Sequence, residues 1–116
     1  MNALVKPLAV ILGLVLIASG AYGFYKNPVF VFSVNQLHNI VHLASGAVAL
    51  IAVAAGYGAA RLYLIVFGLV YALVAAAGFA KIQQVVTLLN LNQPDNFLHA
   101  AIAVACLLVG LGSRRA

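Results

Sequence analysis

The sequence predicts an all-α integral membrane protein, a bundle of four transmembrane helices. Of its 116 residues, 66% are hydrophobic and only 6% are charged, whereas a soluble domain averages about 45–50% apolar and about 25% charged residues. Four apolar runs, at about residues 7–25, 36–57, 59–81 and 95–111, each approach the ~20 residues with which a helix crosses a bilayer. A helix satisfies its own backbone hydrogen bonds in lipid, and the alternation typical of strands is missing. Residues 1–116 therefore form a single membrane domain.

The composition also excludes several classes of protein. The formal net charge of +5 comes from scattered basic residues that form no patch for phosphates, so we expect no binding to nucleic acid. The single cysteine, Cys106, excludes a disulfide framework and a CxxC redox pair. The expected partners are the lipid bilayer and either a second copy of the chain or a larger membrane complex.

The positions of the basic residues predict the orientation in the membrane. Lys6, Arg61, Arg114 and Arg115 lie at the termini and in the second connection, and Lys26 and Lys81 lie in the first and third connections. Because cytoplasmic loops carry an excess of Lys and Arg, we expect a cell-membrane protein with both termini in the cytoplasm. The outer connections are unusually apolar, and we expect their segments 29–32 and 85–89 to lie in the interface or to pack over the mouth of the bundle.

The chain contains an internal repeat. Residues 35–42 align with residues 92–99 at a constant offset of 57, and both segments match the pattern N-Q-x-x-N-x-x-H. The chain is therefore interpreted as two duplicated helical hairpins, at about 7–57 and 59–112. Since each copy holds two spans, both copies have the same orientation, and the repeat axis should run along the membrane normal, as in parallel-repeat transporters.

A polar stripe opens the second and the fourth span. Helical spacing places Asn35, His38, Asn39 and His42 on one face, and Asn92, Asp95, Asn96 and His99 on another. Polar groups are costly against lipid, so the two stripes should face each other inside the bundle, starting at its outer surface. Asn35 and Asn92 suit helix N-caps, with Asp95 in a capping arrangement. We expect Asn39, His42, Asn96 and His99 to bond between the repeats, at about 0.6–2 kcal/mol each.

This arrangement favours a structural function. Asn35, Asn39, Asn92 and Asn96 form a predicted polar clamp that, with the His and Asp side chains of the same outer face, holds the two repeats together. The serines lack a convincing base, and the sequence contains no phosphate-binding glycine loop, so we expect no catalysis. The main hypothesis is a small non-catalytic accessory or structural subunit in the membrane.

Cofactor binding is the main alternative. His42 and His99 could ligate a haem iron from opposite sides, which would suit electron transfer, or one of them could ligate the magnesium of a chlorophyll-type pigment. Gly46 and Ala103, one turn beyond each histidine, would leave room for a flat ring. A bare ion is a third possibility, since three nitrogens and one oxygen suit tetrahedral zinc. Its predicted ligands are His38, His42, Asp95 and His99.

Two further hypotheses concern pH and transport. Histidine changes its charge near neutral pH, so the cluster could make the protein pH-responsive. Duplicated halves could also form a small oligomeric transporter. On the third span, Gly68, Ala72 and Ala76 form a ridge of small residues that is typical of close helix packing or self-association. Tyr71 of the same span is interpreted as an interface anchor or a packing group rather than a catalyst.

These motifs resemble those of a known family. The pattern Asn35-x-x-His38-Asn39-x-x-His42-Leu43, followed by Asp95-Asn96-x-x-His99, is similar to that of the bacterial four-span membrane proteins grouped as a domain of unknown function. The resemblance covers nearly the whole chain, from the first span to Leu111. It implies a four-helix membrane fold and marks the polar stripe as the family's signature. It implies no activity.

Overall fold

The protein is an all-α bundle. The computed structural model describes residues 1–27, 29 and 31–114. Its helices are α1 (Asn2–Tyr25), α2 (Gln36–Ala55), α3 (Tyr57–Phe79), α4 (Gln83–Leu89) and α5 (Gln93–Gly112). All but the short α4 are long and apolar enough to cross a membrane, so the predicted four-span membrane fold is confirmed. Two residues used in the predictions, Phe30 of the segment 29–32 and Arg115, lie outside the described residues.

Two elements differ from the predicted apolar runs. α1 begins at Asn2, before the predicted start, and continues through Pro7. Val5 is fully buried in the core, so its packing extends the helix on the N-terminal side of the proline. α4 forms in the last connection, where no helix was predicted. Lys81 and Asn90 flank it in left-handed backbone conformations, with φ of 57° and 55°, which turn the chain before and after this short helix.

The long helices pair as two hairpins, α1 with α2 and α3 with α5. The backbones of α1 and α2 approach closely: a Cβ on Gly13 would lie 3.0 Å from the carbonyl oxygen of Gly46. A Cβ on Gly46 would lie 2.6 Å from the carbonyl oxygen of Gly13 and 2.7 Å from the Ile17 side chain. Glycine is required at this crossing because any side chain would push the helices apart. The space predicted for a flat ring beside Gly46 is therefore filled by α1.

The predicted ridge of small residues on α3 lies partly against α5 and partly on the surface of the bundle. Gly68 is buried against α5, where a Cβ would lie 2.9 Å from the Leu107 side chain. Ala72 is half-buried and Ala76 is exposed. Gly68 therefore allows close helix packing within the chain, Ala72 packs partly against the core, and Ala76 is the ridge residue on the exposed surface.

The two ends of the bundle differ in composition. At one end, here called the terminal end, the Arg114 backbone N–H donates to Asn2 Oδ1 at 2.8 Å, and the Tyr57 hydroxyl donates to the Arg114 carbonyl at 2.6 Å. The opposite end, here called the cap end, carries the connections α1–α2 and α3–α5. Most of the buried polar side chains lie on α2 and α5 near the cap end, whereas the membrane-facing surface is apolar.

Candidate functional site

Asn35 joins the two hairpins at the cap end. It is the N-cap of α2, and its Oδ1 accepts a hydrogen bond from the His38 backbone N–H at 2.9 Å. Its Nδ2 donates to the Leu88 carbonyl of α4 at 2.8 Å, in the other repeat. One amide group therefore satisfies a free N–H of its own helix and binds the opposite hairpin.

Asn92 makes the equivalent bonds from the second repeat to the first. Its Oδ1 accepts from the Asp95 backbone N–H at 3.0 Å, and its Nδ2 donates to the Val31 carbonyl of the first connection at 2.9 Å. Val31 and Leu88 are separated by the same offset of 57 as Asn35 and Asn92. The two asparagines thus form a crossed pair of hydrogen bonds in which each repeat holds the connection of the other.

The segment 85–89 packs over the mouth of the bundle as part of α4. Nδ1 of His38 lies 3.0 Å from the Leu89 carbonyl oxygen. Just beyond α4, Asn90 Nδ2 donates to the Val34 carbonyl at 2.9 Å. These bonds, together with that of Asn35, hold the end of α4 over the histidines.

The three histidines of the chain converge beneath α4. One ligand atom from each of His38, His42 and His99 lies within 4.8 Å of the other two. The ring centroid of His38 lies 4.3 Å from that of His42 and 5.5 Å from that of His99. All three side chains are buried, at 2%, 6% and 2% exposure respectively. The stripes of α2 and α5 therefore meet at these imidazoles.

Three nitrogens of this cluster are buried without a hydrogen-bond partner. They are Nε2 of His38, Nδ1 of His42 and Nδ1 of His99. Buried polar atoms in native proteins are nearly always paired, because an unpaired one costs about 1–3 kcal/mol. Three unpaired nitrogens on converging rings indicate a site for a species that pairs with them.

The cavity at the histidines has a volume of about 30 Å³. It is lined by the three histidines and by Val41, Ser45, Val70, Tyr71, Val74 and Leu89. A single water needs roughly 10–15 Å³ by this kind of measure, whereas pockets for organic cofactors hold about 300–1,000 Å³. The cavity fits an ion or a water molecule. It is too small for the haem or chlorophyll-type pigment considered for His42 and His99.

Asp95 is engaged elsewhere than in the predicted four-ligand set. Its Oδ2 accepts from the Asn92 backbone N–H at 2.9 Å, completing a capping box at the start of α5. The group of converging ligand atoms in the described part of the chain consists of the three histidines alone. The carboxylate is directed to the helix end because the free N–H groups there attract it.

Asn39 and Asn96 lie against glycines of their own hairpins. A Cβ on Gly23 would overlap the Asn39 amide, and a Cβ on Gly78 would overlap the Asn96 amide. Asn96 Nδ2 donates to Gln93 Oε1 at 2.8 Å, within α5, and Oδ1 of both asparagines lacks a partner. The hydrogen bonds between repeats that were expected of these two residues are instead made by Asn35 and Asn92.

Tyr71 and Leu89 are site residues that sequence reasoning missed. Tyr71 lines the cavity, and its ring centroid lies 5.5 Å from that of His99. Its buried hydroxyl lies beside the Ser45 side chain, a polar contact that the interpretation as an interface anchor or packing group did not include. The sequence does contain a signal for Tyr71, because its hydroxyl is a polar group in the middle of a span. Leu89 contributes only its backbone carbonyl, for which the sequence contains no signal.

Comparison with known families explains the motif pattern. Residues 6–112 match the family described as a domain of unknown function, DUF4383. The chain belongs to this family. The match includes every residue of the crossed asparagine pair and of the histidine cluster, and it confirms the family resemblance of the polar stripe. No curated protein and no solved structure matches the chain.

Proposed function

We propose that this DUF4383 protein binds a transition-metal ion in the membrane through His38, His42 and His99. The observation that carries the proposal is the convergence, within 4.8 Å, of three buried imidazoles whose buried nitrogens lack partners. Imidazole is a ligand that suits zinc, copper, iron and nickel. An ion in this position accepts the lone pairs that would otherwise be buried unpaired, and it joins α2 of one repeat to α5 of the other.

The environment of His38 supports this assignment. A carbonyl oxygen can only accept a hydrogen bond, so the contact with Leu89 requires the proton of His38 to lie on Nδ1. Nε2 is then the atom with the free lone pair, and it is also the atom that lacks a partner. Histidines that ligate metals typically donate their other N–H to a carbonyl or a carboxylate in this way.

Elemental analysis by mass spectrometry tests metal binding directly. We expect protein purified in mild detergent to contain about one transition-metal ion per chain, as the single three-histidine cluster can hold. His99→Ala should lose the metal. Replacing even an outer partner of a metal site lowers metal affinity about 10–100-fold, and the loss of a ligand should cost at least as much. Gln84→Ala, on the exposed surface of α4, is the matched control and should retain the metal.

Two results would contradict metal binding. One is well-folded protein, judged by circular dichroism and gel filtration, that contains no metal above background after growth with zinc, copper, iron or nickel. The other is His99→Ala protein that retains the metal of the unmodified chain.

A structural role in a membrane complex is the second candidate function, and the crossed asparagine pair favours it. Four backbone and side-chain groups at the cap end are used to hold the hairpins together, through Asn35, Leu88, Asn92 and Val31. A bundle fixed in this way presents a defined apolar surface to a partner subunit or to a second copy, with Ala76 on the exposed side of α3. Crosslinking in native membranes that yields only monomers would count against this role.

We further propose that the terminal end faces the cytoplasm of the cell membrane, since Lys6, Arg61 and Arg114 lie there. Cys106 is buried, so new cysteines report on their own positions. A membrane-impermeant maleimide added to intact cells should label Lys81→Cys at the exposed cap end. It should label Lys6→Cys only after the cells are opened. The reverse pattern would overturn the orientation.

A further inference from the structure

The charges around the histidine cluster indicate which ion it holds. Resting on the proposed metal binding, we propose that the ion is monovalent copper, Cu(I). The three ligands are neutral imidazoles when they bind a metal, so the complex retains the full charge of the ion. The cost of taking an ion out of water rises with the square of its charge, and it is largest in an apolar interior.

The chain supplies one negative charge to balance the ion. Asp95 is its only acidic residue, and its side chain is 1% exposed. It precedes His99 by four residues on α5, so the two side chains lie on the same helix face, with Cβ atoms about 5–6 Å apart. The carboxylate lies in the capping box at the start of α5 and is not one of the converging ligands. With Cu(I), the ion and the Asp95 carboxylate together carry no net charge, whereas a divalent ion leaves one uncompensated positive charge.

The number of ligands that the site offers also favours Cu(I). Cu(I) can be held by three nitrogen ligands without bound water, whereas zinc held by three histidines takes a water molecule as its fourth ligand. Apart from the histidines, the cavity is lined mainly by valines and by Leu89, and its 30 Å³ leaves little room for a retained hydration shell. The hydroxyl groups of Tyr71 and Ser45 also line the cavity, so Zn(II) is the ion with which Cu(I) must be compared.

Competition titrations distinguish the two ions. Purified protein in mild detergent is titrated without oxygen with Cu(I), kept reduced by ascorbate and buffered by bicinchoninate, and separately with Zn(II) against a chromogenic chelator. We expect one Cu(I) per chain, bound at least about 100-fold more tightly than Zn(II), the ratio that an unpaired buried charge produces. The X-ray absorption edge should be that of three-coordinate Cu(I) with nitrogen ligands.

Two variants test the charge argument separately from the metal site. Asp95→Asn keeps an oxygen that can accept from the Asn92 N–H but removes the charge, so Cu(I) affinity should fall about tenfold or more. Val74→Glu adds a carboxylate to the cavity lining and should reduce the preference for Cu(I) over Zn(II) at least about tenfold. Val74→Gln has nearly the same size without the charge, and it should keep the preference of the unmodified protein.

The outcomes separate the two proposals. If Zn(II) binds at the histidines as tightly as Cu(I), or if Asp95→Asn leaves Cu(I) affinity unchanged, the assignment of monovalent copper is wrong and metal binding stands. If well-folded protein binds neither ion, the assignment of Cu(I) is wrong, and the metal site itself is wrong when iron and nickel also fail to bind. If binding survives the loss of His99, the metal site is wrong whichever ion binds.

Discussion

Substituting alanine for Gly78 should lower the free energy of unfolding by about 3 kcal/mol, at the upper end of the usual cost of overpacking. A Cβ at this position would overlap the Asn96 side chain, because the Oδ1 and Cγ atoms of Asn96 pack directly against the glycine. Asn96 is 4% exposed and its Nδ2 is bonded to Gln93, so the amide cannot move aside without losing that bond. Thermal unfolding in detergent, followed by circular dichroism, should show a midpoint lowered by about 10 °C for a chain of this length.

The glycines of the chain provide matched controls for this prediction. Gly58, also within α3, has no atom within 4 Å of the position that a Cβ would take, so Gly58→Ala should leave the midpoint unchanged or raise it slightly. Gly23 holds the equivalent place against Asn39, and Gly23→Ala should resemble Gly78→Ala.

A double-mutant cycle shows whether the overlap is the cause. In the Asn96→Ala background the obstructing amide is gone, and Gly78→Ala should cost much less than in the unmodified protein. If Gly78→Ala is as costly with alanine at position 96, or if it is harmless in the unmodified protein, the close contact between α3 and α5 is not as the structure describes it.

The spans and the helix caps were accessible from the sequence because they depend on local patterns. Four apolar runs of sufficient length predict four spanning helices wherever they pack. Asn35 and Asn92 were recognised as N-caps because capping depends on the residue type and on the N–H groups two and three positions later. Helical spacing likewise placed His42 and His99 on the inner faces of their helices, where both are buried.

The partners of the polar residues were not accessible in the same way. The repeat identifies Asn35 and Asn92 as equivalent, but it cannot indicate that their Nδ2 atoms bind the carbonyls of Leu88 and Val31. Backbone carbonyls carry no sequence signal. α4 was missed because a segment of seven residues is too short for helical periodicity to be distinguished from other patterns.

The position of Asp95 illustrates the competition between two local rules. Its spacing from His99 fits a shared metal site, whereas its spacing from Asn92 fits a capping box. In the structure the carboxylate lies at the N–H groups of the helix end. The site therefore has three neutral imidazole ligands, and the Asp95 carboxylate is a separate negative charge. The charge of the ion that fits the site depends on this balance.

The crossed asparagine pair should account for the second large effect on stability. Replacing Asn35 by alanine removes an N-cap, worth about 0.5–2 kcal/mol, and the exposed bond to Leu88, worth about 0.5–1.5 kcal/mol. We expect a combined loss of about 2 kcal/mol from Asn35→Ala, by the sum of the middle values. Asn92→Ala should lose a similar amount because Asn92 makes the equivalent bonds.

Asn35→Asp separates the two contributions, since aspartate remains a good N-cap but has no Nδ2 to donate to Leu88. We expect its unfolding midpoint to lie between those of the unmodified protein and Asn35→Ala. It should also increase the access of protease to α4, because the loss of this bond releases one of the contacts that hold α4 over the histidines. If Asn35→Asp matches the unmodified protein in both measurements, the bond to Leu88 contributes nothing to stability or to the position of α4.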